Sequence, residues 1–171
     1  TLVQVIILGR LLDPHDFGLM DIAMLSIQAL GVFTYTGYEF ALVQKLDLEE
    51  QDIHTAWWIM LFQKLLIGLS LFIFSVPIAR LFNTSSVVPI LVAMAIIQPI
   101  LGLSNPTYSL LQRELRFKTF FYYQFIPALV GFFTSTIFAL IYRNVWALVL
   151  GLSARYLTQV ILSYVLVPYR P

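Results

Sequence analysis

Apolar residues run along this chain for about 20 residues at a time, the length of helix that crosses a hydrocarbon core of about 30 Å, and polar residues gather in short stretches between the runs. The pattern predicts spans over 17–43, 56–79, 87–111, 119–142 and 145–167, preceded by a shorter apolar run over 1–12. At about 1.5 Å per residue that first run cannot cross, and it is expected to be the end of a helix whose start is missing. Asp13-Pro14-His15-Asp16 predicts a turn followed by a helix start. No basic stretch or small-residue cleavage site precedes Asp13, which argues against a secretory signal peptide. Strands of a membrane barrel would alternate apolar and polar residues over about 10 positions, and these runs do not. The expected fold class is therefore all-α, a polytopic transmembrane helix bundle. Pro89, Pro99 and Pro106 predict that the fourth span is bent, with neighbouring helices satisfying the freed carbonyls.

Composition agrees with the pattern. The 171 residues are 60% hydrophobic and 11% charged, against roughly 45–50% and 25% in soluble domains. The chain has no cysteine, which excludes disulfides and thiolate metal sites within it. Lys45, Arg113, Arg116, Lys118 and Arg170 fall in loops on one side and Arg10, Arg80 and Arg143 on the other, so the positive-inside rule places the loops at 44–55 and 112–118 in the cytoplasm.

Polar residues within the spans carry the candidate chemistry. Arg155 lies near the middle of the sixth span, where a charge costs about 2.5–3.5 kcal/mol and is usually functional. It is either a cation held for an anionic group or a structural partner of a neighbouring helix. Gly151, Arg155, Gln159 and Ser163 recur every four residues and predict a stripe turned to the bundle interior. Lys64, beside Gln63, fits either a cavity or a side chain that snorkels to the interface. Asp21, Leu25, Gln28, Val32, Tyr35 and Glu39 share one face of the second span; its two acids lie near opposite ends, whereas Gln28 is deep. Gln98, Gly102, Asn105 and Ser109, and then Gln124, Ala128, Gly131 and Ser135, have the spacing of close helix packing or of a lumen lining. Helices that each carry such a stripe suggest a bundle around a shared interior, as in a transporter.

Other features are discounted. Asp16-Phe17-Gly18 lacks the rest of a kinase site, and Glu49, Glu50, Asp52 and His54 read as a solvated acidic turn rather than a metal site. No phosphate-binding loop and no serine–histidine pair at membrane depth is visible, so neither an enzyme nor a bound cofactor is expected. Arg113, Arg116 and Lys118 form a basic turn, either a topology anchor or a collector of anionic headgroups at about 1 kcal/mol per charge.

Several segments carry a resemblance that extends from end to end: Arg10-Leu11-Leu12 with Pro14 and Asp16-Phe17-Gly18-Leu19; Gly37 and Ala41-Leu42-Val43-Gln44; Thr55-Ala56-Trp57-Trp58; Val145-Trp146-Ala147-Leu148-Val149 with Gly151; and Pro168 with Arg170-Pro171. The most specific is Leu110-Leu111-Gln112-Arg113-Glu114-Leu115-Arg116-Phe117-Lys118. In these the chain resembles the polysaccharide transport family of the multidrug, oligosaccharidyl-lipid and polysaccharide exporter superfamily, which includes O-antigen and exopolysaccharide flippases. Tyr38-Glu39-Phe40 departs from the small apolar residues expected after Gly37. The resemblance implies two six-helix lobes alternating around a central cavity in a bacterial inner membrane, this chain being the first lobe. It also implies a lipid-pyrophosphate oligosaccharide as substrate, and as partners membrane lipids, a C-terminal lobe of the same protein and a polysaccharide polymerase complex, with no nucleic acid. Arg155 would then anchor the anion with help from Lys64, while Gln28, Gln98, Asn105, Gln124 and Gln159 would meet sugar hydroxyls. A cation-coupled drug exporter of the same superfamily and a non-transporting scaffold are the alternatives.

Overall fold

The computed structural model describes residues 2–38, 42, 44–45, 49–113 and 116–166, with the side chains at 2–6, 109 and 112–113 left aside. Among these residues every regular element is a helix: α1 (Leu2–Leu11), α2 (Pro14–Thr34), α3 (Glu50–Leu81), α4 (Val88–Gly102), α5 (Leu110–Arg113), α6 (Phe117–Tyr142) and α7 (Trp146–Leu166). Short 3-10 turns at Ser85–Val87 and Pro106–Ser109 precede α4 and α5. Five segments are long and apolar enough to cross a membrane: α2, α3, α4 with its leading turn, α6 and α7. The chain is an all-α polytopic membrane protein.

Local chemistry sets the helix ends, and three of them correct the expected spans. The second span does not continue unbroken from 17 to 43. Pro14 starts α2 behind an extended Asp13, its ring preset for a first turn, and the helix stops at Thr34. Tyr35 is extended and Gly37 takes φ +67°, a left-handed conformation that costs glycine little. At α3, Glu50, Asp52 and His54, read as part of a loop turn, belong to the helix, which begins at Glu50 rather than 56, directly after Glu49. The Asp52 carboxylate accepts the Glu49 backbone N–H at 3.0 Å and pairs with the Lys45 ammonium at 2.6 Å, and Glu50 adds negative charge near the positive helix end.

The fourth span, expected to be one bent helix over 87–111, is broken. Pro99 is accommodated inside α4, but the chain leaves the helix over Leu103–Asn105 before Pro106 opens the next turn. Backbone polar groups freed at such depth need partners from the protein. The Tyr164 hydroxyl donates to the Leu103 carbonyl at 2.6 Å while receiving the Trp57 indole N–H at 3.1 Å. The Asn105 N–H donates to Ser163 Oγ at 2.9 Å. The break is thus pinned to α7 and α3.

The most extensive packing joins α6 to α7 and α3 to α4, and α4 also meets α2 and α7. Small residues make both close approaches possible, as membrane helices require in the absence of a hydrophobic force between them. A Cβ on Gly151 would sit 2.5 Å from Ser135 Cβ, and one on Gly131 would sit 2.9 Å from Arg155 Cβ. Between α3 and α4, a Cβ on Gly68 would lie 2.7 Å from the Ala95 carbonyl oxygen. Around these seams Ile67, Leu71, Ile90, Leu91, Met94 and Val149 form the buried core.

Candidate substrate cavity

One end of the bundle opens between α2, α3 and α7 into a cavity of about 760 Å³. Helical spacing brings Met60, Gln63, Lys64 and Ile67 of α3 to it together, with Gln28 and Gly31 of α2 opposite and Tyr156 and Gln159 supplied by α7. Tyr35 and Tyr38 follow the end of α2, Tyr108 comes from the turn after the α4 break, and Tyr123 from α6. The Tyr108 and Tyr123 rings stack with centroids 4.9 Å apart at 20°. Tyr123 is almost wholly buried, and its hydroxyl accepts a hydrogen bond from Gln159 Nε2 at 3.2 Å.

This lining combines flat apolar faces with groups that both donate and accept. Each amide offers two N–H donors and a carbonyl acceptor, each tyrosine a hydroxyl at the edge of a ring, and Lys64 adds an ammonium. Such a set suits a ligand that is itself part apolar ring and part hydroxyl, carried next to a negative charge.

Of the residues expected to line a cavity, Gln28, Lys64 and Gln159 meet here. Arg155 does not join them. It lines a separate pocket of about 350 Å³ with Ala128, Gly131, Ser135 and Gly151, and its side chain is exposed. Among the described residues it makes no ion pair. The stripe of which it is part faces α6 and the break after α4: Gly151 lies against Ser135, Gln159 reaches Tyr123, and Ser163 is buried beside Asn105.

The remaining expected positions fall elsewhere. Gln98 is buried in α4 outside this cavity, and its Oε1 has no partner among the described residues. Asn105 is fully buried; its Nδ2 donates to the Ser163 carbonyl at 3.1 Å and its Oδ1 accepts the Thr107 N–H at 3.0 Å. It fastens the break in the fourth span, so Asn105→Ala should lower stability by about 1–3 kcal/mol through two unsatisfied backbone groups. Thermal unfolding of the full-length protein in detergent reads this directly. Gln124 is exposed on α6 and absent from the cavity lining. Arg116 and Lys118 are exposed at the start of α6, while the Arg113 side chain and all of Glu39 lie outside the described residues.

Sequence reasoning missed the tyrosines. Tyr35 stood on a recognised face of the second span, but Tyr38, Tyr108, Tyr123 and Tyr156 carried no spacing that set them apart from interfacial aromatics. Nine tyrosines in 171 residues was the available signal.

Helices of this length around a cavity lined by tyrosines, glutamines and a lysine among apolar side chains define a multi-pass membrane protein. More particularly, the chain belongs to the polysaccharide biosynthesis protein family, whose model matches residues 7–171. It is 28% identical over 169 residues to the succinoglycan biosynthesis transport protein ExoT of Rhizobium meliloti (strain 1021), an alignment covering 99% of this chain and 34% of that protein. It is 21% identical over 150 residues to the lipopolysaccharide biosynthesis protein WzxC of Escherichia coli (strain K12), covering 88% and 30%. An uncharacterized membrane protein in the cps region of Klebsiella pneumoniae is 26% identical over 172 residues, covering 95% and 34%. The chain therefore spans about a third of the length of these relatives. No solved structure matches it at a significant level.

Proposed function

We propose that this chain is the first lobe of a transporter that moves lipid-linked oligosaccharide across a bacterial inner membrane for polysaccharide synthesis. The loops at 44–55 and 112–118 then face the cytoplasm, where the precursor is collected, and Arg116 and Lys118 draw its anionic headgroup to the surface. The observation that carries this proposal is the cavity itself: five tyrosines, three glutamines and Lys64 around about 760 Å³ within a membrane bundle. Tyrosine faces meet the apolar faces of sugar rings, amides and hydroxyls exchange hydrogen bonds with sugar hydroxyls, and the two cations, Lys64 and Arg155, meet the pyrophosphate. Two relatives named for succinoglycan transport and lipopolysaccharide biosynthesis lend support.

Cells deleted for their own exporter and supplied with the full-length parent gene should regain surface polymer. Tyr35→Ala, expressed at the parental level, should lower it several-fold, since Tyr35 presents an exposed ring to the cavity and loss of its stacking on a sugar removes about 0.5–1.5 kcal/mol. A parent gene that restores polymer in no such strain, or a Tyr35→Ala variant with full output, would rule the proposal out.

A further inference from the structure

We infer that the cleft between the end of α2 and the first half of α3 is a side entrance, in which the hydrocarbon chain of a lipid lies outside the bundle while its polar head reaches the tyrosine-lined cavity. This rests on the transport function proposed above, and it assigns that substrate's tail a definite place.

A groove of about 540 Å³ runs along this cleft, with Phe33 on the α2 side and Trp58, Ile59, Phe62 and Leu66 on α3. Ile59, Phe62 and Leu66 follow the three- and four-residue spacing of one helix face. Their surface is open, Phe33 being 87% and Phe62 69% exposed. Thr34, also in the groove, turns its hydroxyl back to the Leu30 carbonyl at 2.9 Å, so it withdraws a polar group from the groove.

What sets this groove apart is continuity. Tyr35 and Gln63 line both the groove and the tyrosine- and glutamine-bearing cavity, so the two spaces meet across those side chains. Such a junction matches an amphipathic ligand, apolar on one side and hydroxyl-rich on the other. A second apolar groove, of about 680 Å³, lies between Leu25–Leu30 of α2 and the second half of α3, lined by Leu25, Phe74 and Leu81 among others. It shares no lining residue with the cavity. Ordinary membrane lipid suffices to cover it, and it therefore serves as an internal control on the same helix.

The test places the photo-crosslinker p-benzoylphenylalanine at Phe62 or at Phe74 in the full-length protein, in phosphatidylethanolamine–phosphatidylglycerol vesicles containing tritiated polyprenyl-pyrophosphoryl-N-acetylglucosamine. Capture of the probe at Phe62 is expected to exceed that at Phe74 by about fivefold or more. Unlabelled probe lipid should compete it away, and polyprenol lacking the head should not. Equal capture at both sites, or equal competition by polyprenol, would mean that the face is ordinary lipid-facing surface. Absence of capture at Phe62 in vesicles that still translocate the probe would mean that the rest of the chain covers the groove. Either result overturns the side entrance and leaves the transport proposal standing. Vesicles of parent protein that do not translocate the probe would remove the transport proposal, and the entrance with it.

Discussion

Full-length protein carrying Gly151→Leu is expected to yield little monodisperse material in detergent, and Gly151→Ala should melt several degrees below the parent. An alanine inside a helix normally gains about 1 kcal/mol over glycine, so propensity alone predicts the opposite sign. Packing decides it. The first atom added at Gly151 would stand 2.5 Å from Ser135 Cβ, 2.9 Å from the Gly131 carbonyl oxygen and 3.0 Å from Ser135 Cα. None of these is the free end of a flexible side chain, so α6 and α7 must move apart. Overpacking of this kind costs about 1–3 kcal/mol for a small group and more for a branched one. In a bilayer the loss has little to offset it, because association there depends on close contact rather than on expulsion of water. Gly18→Ala is the matched control: nothing lies within 4 Å of its added Cβ, and its melting temperature should equal or slightly exceed the parent's. Equal stability of Gly151→Ala and Gly18→Ala would show that the α6–α7 seam is not set by these glycines.

The same seam shows what could be read from the amino-acid order. Apolar run length located all five crossing helices, because hydrocarbon thickness fixes how many residues each needs. The ends depended on individual side chains instead. Asp52 extends α3 into a stretch whose charges resemble a loop, and Gly37 follows a helix end that the apolar run from 17 to 43 conceals. The break at Leu103–Asn105 needed Tyr164 and Ser163, which lie about 60 residues away in the chain, to satisfy it. No local pattern carries that dependence.

Within the candidate site, spacing pointed to Gln28 and Gln159, and depth to Lys64. Spacing grouped Arg155 with Gln159 because residues four apart share a face, yet each such step drifts by about 40° around the helix. That drift, with the glycine contact to α6, puts Arg155 in one pocket and Gln159 in the other. Depth was legible; which neighbour each side chain meets was not. Gln98 and Gln124 illustrate the same gap, one swallowed by the core and the other turned outward.

Arg155→Leu is expected to reduce polymer export by about tenfold or more while leaving the protein as stable as the parent, or more stable. The two halves of this prediction come from the same position. Arg155 is the tenth residue of the 21-residue α7, about 14 Å of helix from its start and 16 Å from its end, where an arginine costs about 2.5–3.5 kcal/mol to insert and a leucine is favourable. Its Cβ sits under Gly131, and leucine keeps that atom, so the α6–α7 contact survives the change. No ion pair among the described residues would be broken. On the proposed function, a mid-span cation with this insertion cost and no ion pair among the described residues serves a ligand, the pyrophosphate being the anionic group such a substrate would bring to its pocket. Arg155→Lys, which keeps the charge but not the planar fork, should recover part of the lost export. The measurements are surface polymer in exporter-deleted cells at matched membrane levels, and thermal unfolding of the purified full-length variants. Full export by Arg155→Leu would remove Arg155 from the transport site. Lost export accompanied by an equal loss of folded protein would make it a structural residue of the seam instead.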